Sequence, residues 1–195
     1  MPEFQMNGKH KPEFKALPYF VQGFIEAMFF TDCANRVDSD DWFSDENQHA
    51  LEEGQIDGNL PSDVGFAELH PDSLATIVAF CQAFETAAKD LLEQAYERED
   101  YDSEQAGRDL WFTSQGHGVG YWDRKQLDLF GSDQEEYERL TSLMIENRGN
   151  PKWDATPAER KKLVSLGDKL SEIARYHEAS TWYDEDGFVY CEISF

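Results

Sequence analysis

The sequence predicts an α+β fold in which helices pack on one face of a small antiparallel sheet made of two hairpins. Three observations carry this. Apolar residues recur at helical spacing in several long segments. Two shorter segments alternate apolar and polar residues on either side of a glycine-containing turn. Capping residues, Pro and Gly fall between these segments rather than inside them. At 195 residues the chain reads as a single domain, 1–195, with enough length to bury a substantial core.

The elements follow in order. Residues 1–16 read as a loose N-terminus. LPYFVQGFIEAMFFTD reads as a mostly buried helix, with Phe20, Phe24, Ala27 and Met28 at helical spacing and Thr31, Asp32 and Asn35 at its end. Residues 37–66, rich in Asp, Ser, Gly and Asn, read as a long acidic loop pinned to the core by Trp42 and Phe43. LHPDSLATIVAFCQAFETAAKDLLEQAYE reads as one continuous helix, with Pro71 in its first turn and an apolar face running from Leu74 to Ala95. DLWFTSQGHGVGYWDR, residues 109–124, reads as the first hairpin. Leu110 and Phe112 alternate with Trp111 and Thr113, Val119 and Tyr121 alternate with Gly120 and Trp122, and Gly116-His117-Gly118 makes the turn. Two helices follow. One is opened by a capping box at Ser132 and Glu135, the other by a box at Thr156 and Glu159. STWYDEDGFVYCEISF closes the chain as a second hairpin around Asp186-Gly187.

Forty acids against 17 bases give a formal charge of -23, while 14 Phe, 8 Tyr and 5 Trp argue for a folded chain. The charge is concentrated. Residues 37–66 carry nine acids and no Lys or Arg, and residues 67–110 carry eleven acids against three bases. Such a surface disfavours direct binding to nucleic acid or to an anionic membrane, because neutralising phosphates needs Lys and Arg. Basic proteins or metal cations are the natural partners. Cys33, Cys81 and Cys191 are widely spaced with no CxxC, which fits buried free thiols in a reduced, cytoplasmic setting. No apolar run reaches the length of a membrane span.

Motifs for chemistry are sparse. His117 suits a general base oriented by Asp123 and aided by Arg124; equally, it is a residue that a tight turn tolerates, with Asp123 and Arg124 pairing together or capping a strand. Asp184-Glu185-Asp186-Gly187 resembles a calcium loop, but the spacing fails and a hairpin turn explains it better. His10, His49, His70 and His177 show no metal-ligand spacing, and no phosphate loop, nucleophile elbow or zinc pattern occurs. The expectation is therefore no cofactor and no metal. The acids are the feature with physical consequence. Asp90, Glu93, Glu97, Asp100 and Glu104 read as a row one helical turn apart, preceded by Asp38, Asp40, Asp41, Asp45 and Glu46 in the loop. A row of that kind either imitates the phosphates of DNA and occupies a cationic groove, or is a solvated face that keeps the protein in solution.

FVQGFIEAMFF, LHPDSLATIVAFCQAF, EQAGRDLWFTSQGHGVGYWDR, LGDKL and the closing hairpin from Tyr183 to Tyr190 together resemble a group of small proteins of tailed bacteriophages and related mobile elements. Members of that group carry a core like AG-DFWLTRNGHGAGFWDR, then LG-KL and a short terminal hairpin. The resemblance runs through most of residues 18–195 in order. Ser114-Gln115 stands where the group has Arg-Asn, and residues 125–162 look inserted. The resemblance implies a phage context and expression in bacterial cytoplasm, and it carries no catalytic residue across. It favours a non-enzymatic inhibitor of a host DNA- or RNA-binding defence complex, of the anti-CRISPR or anti-restriction kind. The aromatic hairpin would then be scaffold, or would supply Trp111, Tyr121 and Trp122 as interface anchors. The alternatives are a small phage enzyme centred on His117, Asp123 and Arg124, and a regulatory module whose charge serves solubility alone.

Overall fold

The computed structural model describes residues 6–116, 118–128, 139, 142, 143, 145, 146, 164–174 and 179–194. These hold seven helices and one two-stranded sheet: α1 (Pro12–Lys15), α2 (Tyr19–Asp32), α3 (Asp45–Glu52), α4 (Pro71–Ala87), α5 (Lys89–Tyr96), α6 (Ser103–Ser114), α7 (Leu166–Ala174), β1 (Ala179–Tyr183) and β2 (Val189–Ile193). The α+β reading holds in this coarser form, with one hairpin rather than two.

Helix α2 is the axis of the core. Every residue from Phe20 to Phe29 is buried, including Gln22 and Glu26, so it shows little amphipathic contrast. A helix covered on all sides needs neighbours that come close, and α6 does. A Cβ on Gly23 would lie 1.9 Å from the carbonyl oxygen of Glu104, and one on Gly107 would lie 1.9 Å from that of Phe20. The two glycines let the backbones of α2 and α6 touch reciprocally. Aromatic rings fill the space beside this crossing: Phe24 meets Trp111 edge-on at 5.3 Å and Phe80 at 5.7 Å, and Phe84 stacks on Tyr121 at 5.8 Å.

The hairpin lies against α4. Its register pairs Ala179 with Ile193, Thr181 with Cys191 and Trp182 with Tyr190, and Gly187 makes the turn at φ 82°. Val189 exchanges backbone hydrogen bonds with the segment before α4, donating to Glu68 and accepting from His70. The Cys191 amide donates to Ser73 Oγ at 3.0 Å, and Thr181 donates to Asp32 at the end of α2.

Several expectations change. The stretch read as the first hairpin is α6 up to Ser114, with a short 3₁₀ turn at Tyr121–Asp123. Leu110, Trp111, Phe112 and Thr113 are all buried, so four residues of apparent alternation were a helix covered on every side. The Asp102 carboxylate caps the helix by accepting from the Gln105 amide at 2.8 Å. Gly116, at φ 65°, ends it rather than turning a hairpin.

The continuous helix after Leu69 breaks at Ala88, whose backbone (φ -100°, ψ 10°) separates α4 from α5. The acidic loop 37–66 contains α3, capped by Ser44. The described part of the N-terminal segment is packed rather than loose. Phe14 is 1% exposed against Phe66, and Lys9 reaches Glu26 at 2.6 Å. Helix α7 begins at Leu166 with its own box, in which Ser165 Oγ accepts from the Asp168 amide and Asp168 accepts from that of Ser165. The capping boxes read at Ser132 and Thr156, and most of the insertion read over 125–162, lie outside the described residues.

Candidate functional site

The stretch 109–124 is held by its own polar side chains. Asp109 is fully buried and accepts two bonds from Arg124 Nε, at 2.7 and 2.9 Å, with further bonds from Tyr101 and Gln105. Burial pushes the Asp109 carboxyl above its usual range, against the opposing pull of Arg124, Tyr101 and Gln105. Burial acts to lower the Arg124 guanidinium, but its hydrogen bonds and charge attraction to Asp109 outweigh this and raise it. Burial and the neighbouring Asp109 push the Tyr101 phenol well up. Tyr121 donates from its hydroxyl to the Ala106 carbonyl at 2.8 Å, and its amide donates to Thr113 Oγ1. Trp111 donates from its ring nitrogen to Thr31 at 2.7 Å.

This arrangement bears on the three residues read as an alternative catalytic group. Arg124 is bound to Asp109, fifteen positions earlier, and not to Asp123, which is exposed. His117 lies outside the described residues. Trp111 and Tyr121, offered as interface anchors, are fully buried and cannot touch a partner; Trp122 alone of the three is exposed. The signal for the Asp109–Arg124 pair was present as two opposite charges in one aromatic-rich stretch, but a hairpin register pointed them elsewhere.

The acids fall into two groups. Asp38, Asp40 and Asp41 are exposed on the segment leading into α3, and Asp45 and Glu46 are exposed in its first turn. That segment is tied down: Trp42 is 4% exposed, Ser62 donates to Asp38, and Ser39 donates its amide and its hydroxyl to Asp63, both at 2.8 Å. Phe43 stacks on Tyr183 at 5.7 Å, and Tyr183 pairs with Val189, whose carbonyl accepts from His70 at the start of α4. Contacts thus place this group beside the N-terminal end of α4.

Asp90, Glu93 and Glu97 are exposed on α5 and its C-cap, following the C-terminal end of α4. Leu92 and Ala95 hold the opposite face of α5 in the core. Glu93 lies 3.9 Å from Lys89, a surface pair of little energetic weight. With 17 residues, α4 is about 25 Å long.

The row expected to run on from Asp90 to Glu104 is interrupted. Asp100 sits in a turn at φ 57°, a new helix begins at Ser103, and Glu104 is drawn to Arg108. Arg108 in turn binds Glu26, which is buried on α2, at 2.7 Å. Glu104 therefore helps to position the α2–α6 crossing.

Among the described residues no group of three or more His, Cys, Asp or Glu side chains is arranged to hold a metal ion, and no helix is long and apolar enough to cross a membrane. The three cysteines are free. Burial, reinforced by Asp32, pushes Cys33 and Cys191 up to about 12, and burial pushes Cys81 well up. Comparison of the chain with protein-family models, with curated proteins and with solved structures finds no match in any of the three.

Proposed function

We propose that this chain is an acidic, non-enzymatic inhibitor that binds the cationic nucleic-acid groove of a host defence protein in the bacterial cytoplasm, its carboxylates standing in for DNA phosphates. The observation that carries this reading is the mounting of the α5 acids. Asp90, Glu93 and Glu97 project to solvent from a short helix whose other face is fixed in the core. A mimic needs charge held in place, because ordering a mobile chain on binding costs affinity. The loop acids add a second anchored group, linked through Phe43 and Tyr183 to the other end of α4. The anti-CRISPR or anti-restriction role follows from the resemblance to phage proteins, and the charge mechanism from the placement of the acids.

The test is a pull-down from bacterial lysate with the intact protein, challenged with duplex DNA and with salt. A partner whose capture is lost on adding duplex DNA, and lost at 0.5 M NaCl on the order expected for several displaced counterions, supports the reading. A partner that stays bound in the presence of excess duplex DNA contradicts it.

A further inference from the structure

The outer face of the C-terminal hairpin carries an aromatic stack away from the α5 acids in sequence. Side chains on the two strands alternate, so Trp182 and Tyr190, paired across the sheet, point away from the core with Ser180 and Glu192, while Thr181 and Cys191 point in. Trp182 and Tyr190 stack at 5.5 Å with 11° between their planes. Tyr190 also stacks on His70 at 4.6 Å and 22°, and Phe188 meets the His70 ring edge-on at 5.4 Å. Trp182 is 40% exposed and Phe188 38%. The stack is held firmly: the Tyr190 hydroxyl donates to Asp186 at 2.6 Å, and His70 caps α4 by accepting from the Asp72 amide.

The surroundings are of one sign. Asp72, Asp184, Asp186 and Glu192 stand beside or within the hairpin face, and neither residues 37–88 nor residues 179–194 contain a Lys or Arg. The hydrogen bond to Asp186, with that carboxylate's charge adding to it, pushes the Tyr190 phenol up to about 12. Exposed aromatic faces ringed by carboxylates, with no cation supplied by these segments, are complementary to a guanidinium. Its plane stacks on indole or phenol while its N–H groups reach the flanking carboxylates. A second copy of this chain, equally acidic, would meet the face with like charge, and a nucleic acid would be repelled in the same way.

We propose that the Trp182–Tyr190–His70 face is a docking surface for an arginine-bearing segment of a basic protein. This inference rests on the reading that the partner is a cationic protein and adds to it a second point of attachment, one that selects arginine over lysine. Nucleic-acid grooves present both residues, so the stack supplies discrimination that charge alone lacks.

The experiment uses the full chain and two probes, an octa-arginine and an octa-lysine peptide, titrated by calorimetry at low salt. The arginine peptide should bind several-fold more tightly than the lysine peptide. Trp182→Ala should weaken the arginine peptide by roughly 5- to 30-fold and bring it to the level of the lysine peptide. Trp182→Tyr, which keeps a ring, should recover most of the loss, and guards against a folding defect in the alanine variant. Tyr19→Ala, which removes an exposed aromatic on α2, should change nothing. Equal affinity for the two peptides, or no response to Trp182→Ala, would overturn the proposal and leave general charge attraction. A dimer in sedimentation that Trp182→Ala dissociates would also overturn it, by assigning the face to a second copy. Loss of binding on neutralising Asp90, Glu93 and Glu97 without any effect of Trp182→Ala would sink this inference alone and leave the mimicry reading standing.

Discussion

Asp109 and Arg124 show how a charged pair can serve architecture. The carboxylate is wholly buried and accepts from Arg124, Tyr101 and Gln105, so removing the guanidinium strands a charge in the core. Arg124→Ala should therefore destabilise the fold by about 3 kcal/mol in urea unfolding monitored by circular dichroism; a loss within experimental error would show the pair to be dispensable. The thiols make a second prediction at this scale. Cys33 and Cys191 sit at about 12 in the folded chain against an ordinary value of 9.0. Their contribution is full below pH 9.0 and is lost as pH rises through about 12, so stability should fall across that window. At pH 8 a disulfide reagent should label the native protein far more slowly than the unfolded one; rapid labelling of the native chain would contradict the burial. At this scale the sequence was readable where a residue answers to its neighbours in the chain, as Pro71 and Gly187 do. It was not readable where the partner is remote, as with Arg108 and Glu26, 82 residues apart.

Among elements, the α2–α6 crossing sets the tolerance of the core. Gly107→Ala would drive a methyl into the backbone carbonyl of Phe20, which cannot rotate away. The expected cost is at least about 2 kcal/mol in chemical unfolding, and a fold as stable as the parent would mean the helices do not approach so closely. Helix α6 is also where sequence reading failed most instructively. Its start was marked by Asp102, whose carboxylate accepts from the Gln105 amide three positions on. The alternation that suggested strands arose because Leu110 to Thr113 are covered on all sides, and a fully covered helix has no polar face to reveal its period. The closing hairpin had the opposite character. One face is buried and the other open, so period two survived in the sequence on either side of Asp186-Gly187.

For the whole molecule, the charge of -23 works against compaction. Raising NaCl from 20 mM to 200 mM should raise the melting temperature by screening that repulsion, as differential scanning calorimetry would show; a lower melting temperature would mean that ion pairs such as those of Glu26 dominate the net field. The concentration of acids in 37–110 was plain from the sequence, but their division between the two ends of α4 was not. It depends on the break at Ala88, on the inward turn of Glu104, and on Phe43 reaching Tyr183, 140 positions away. The account turns on whether the α5 carboxylates are an interface. The most direct measurement is the salt dependence of affinity for the captured partner, compared between the parent chain and an Asp90→Asn, Glu93→Gln, Glu97→Gln variant. The account predicts a steep fall in log affinity with log salt for the parent and a distinctly shallower slope for the variant; identical slopes and affinities would contradict it.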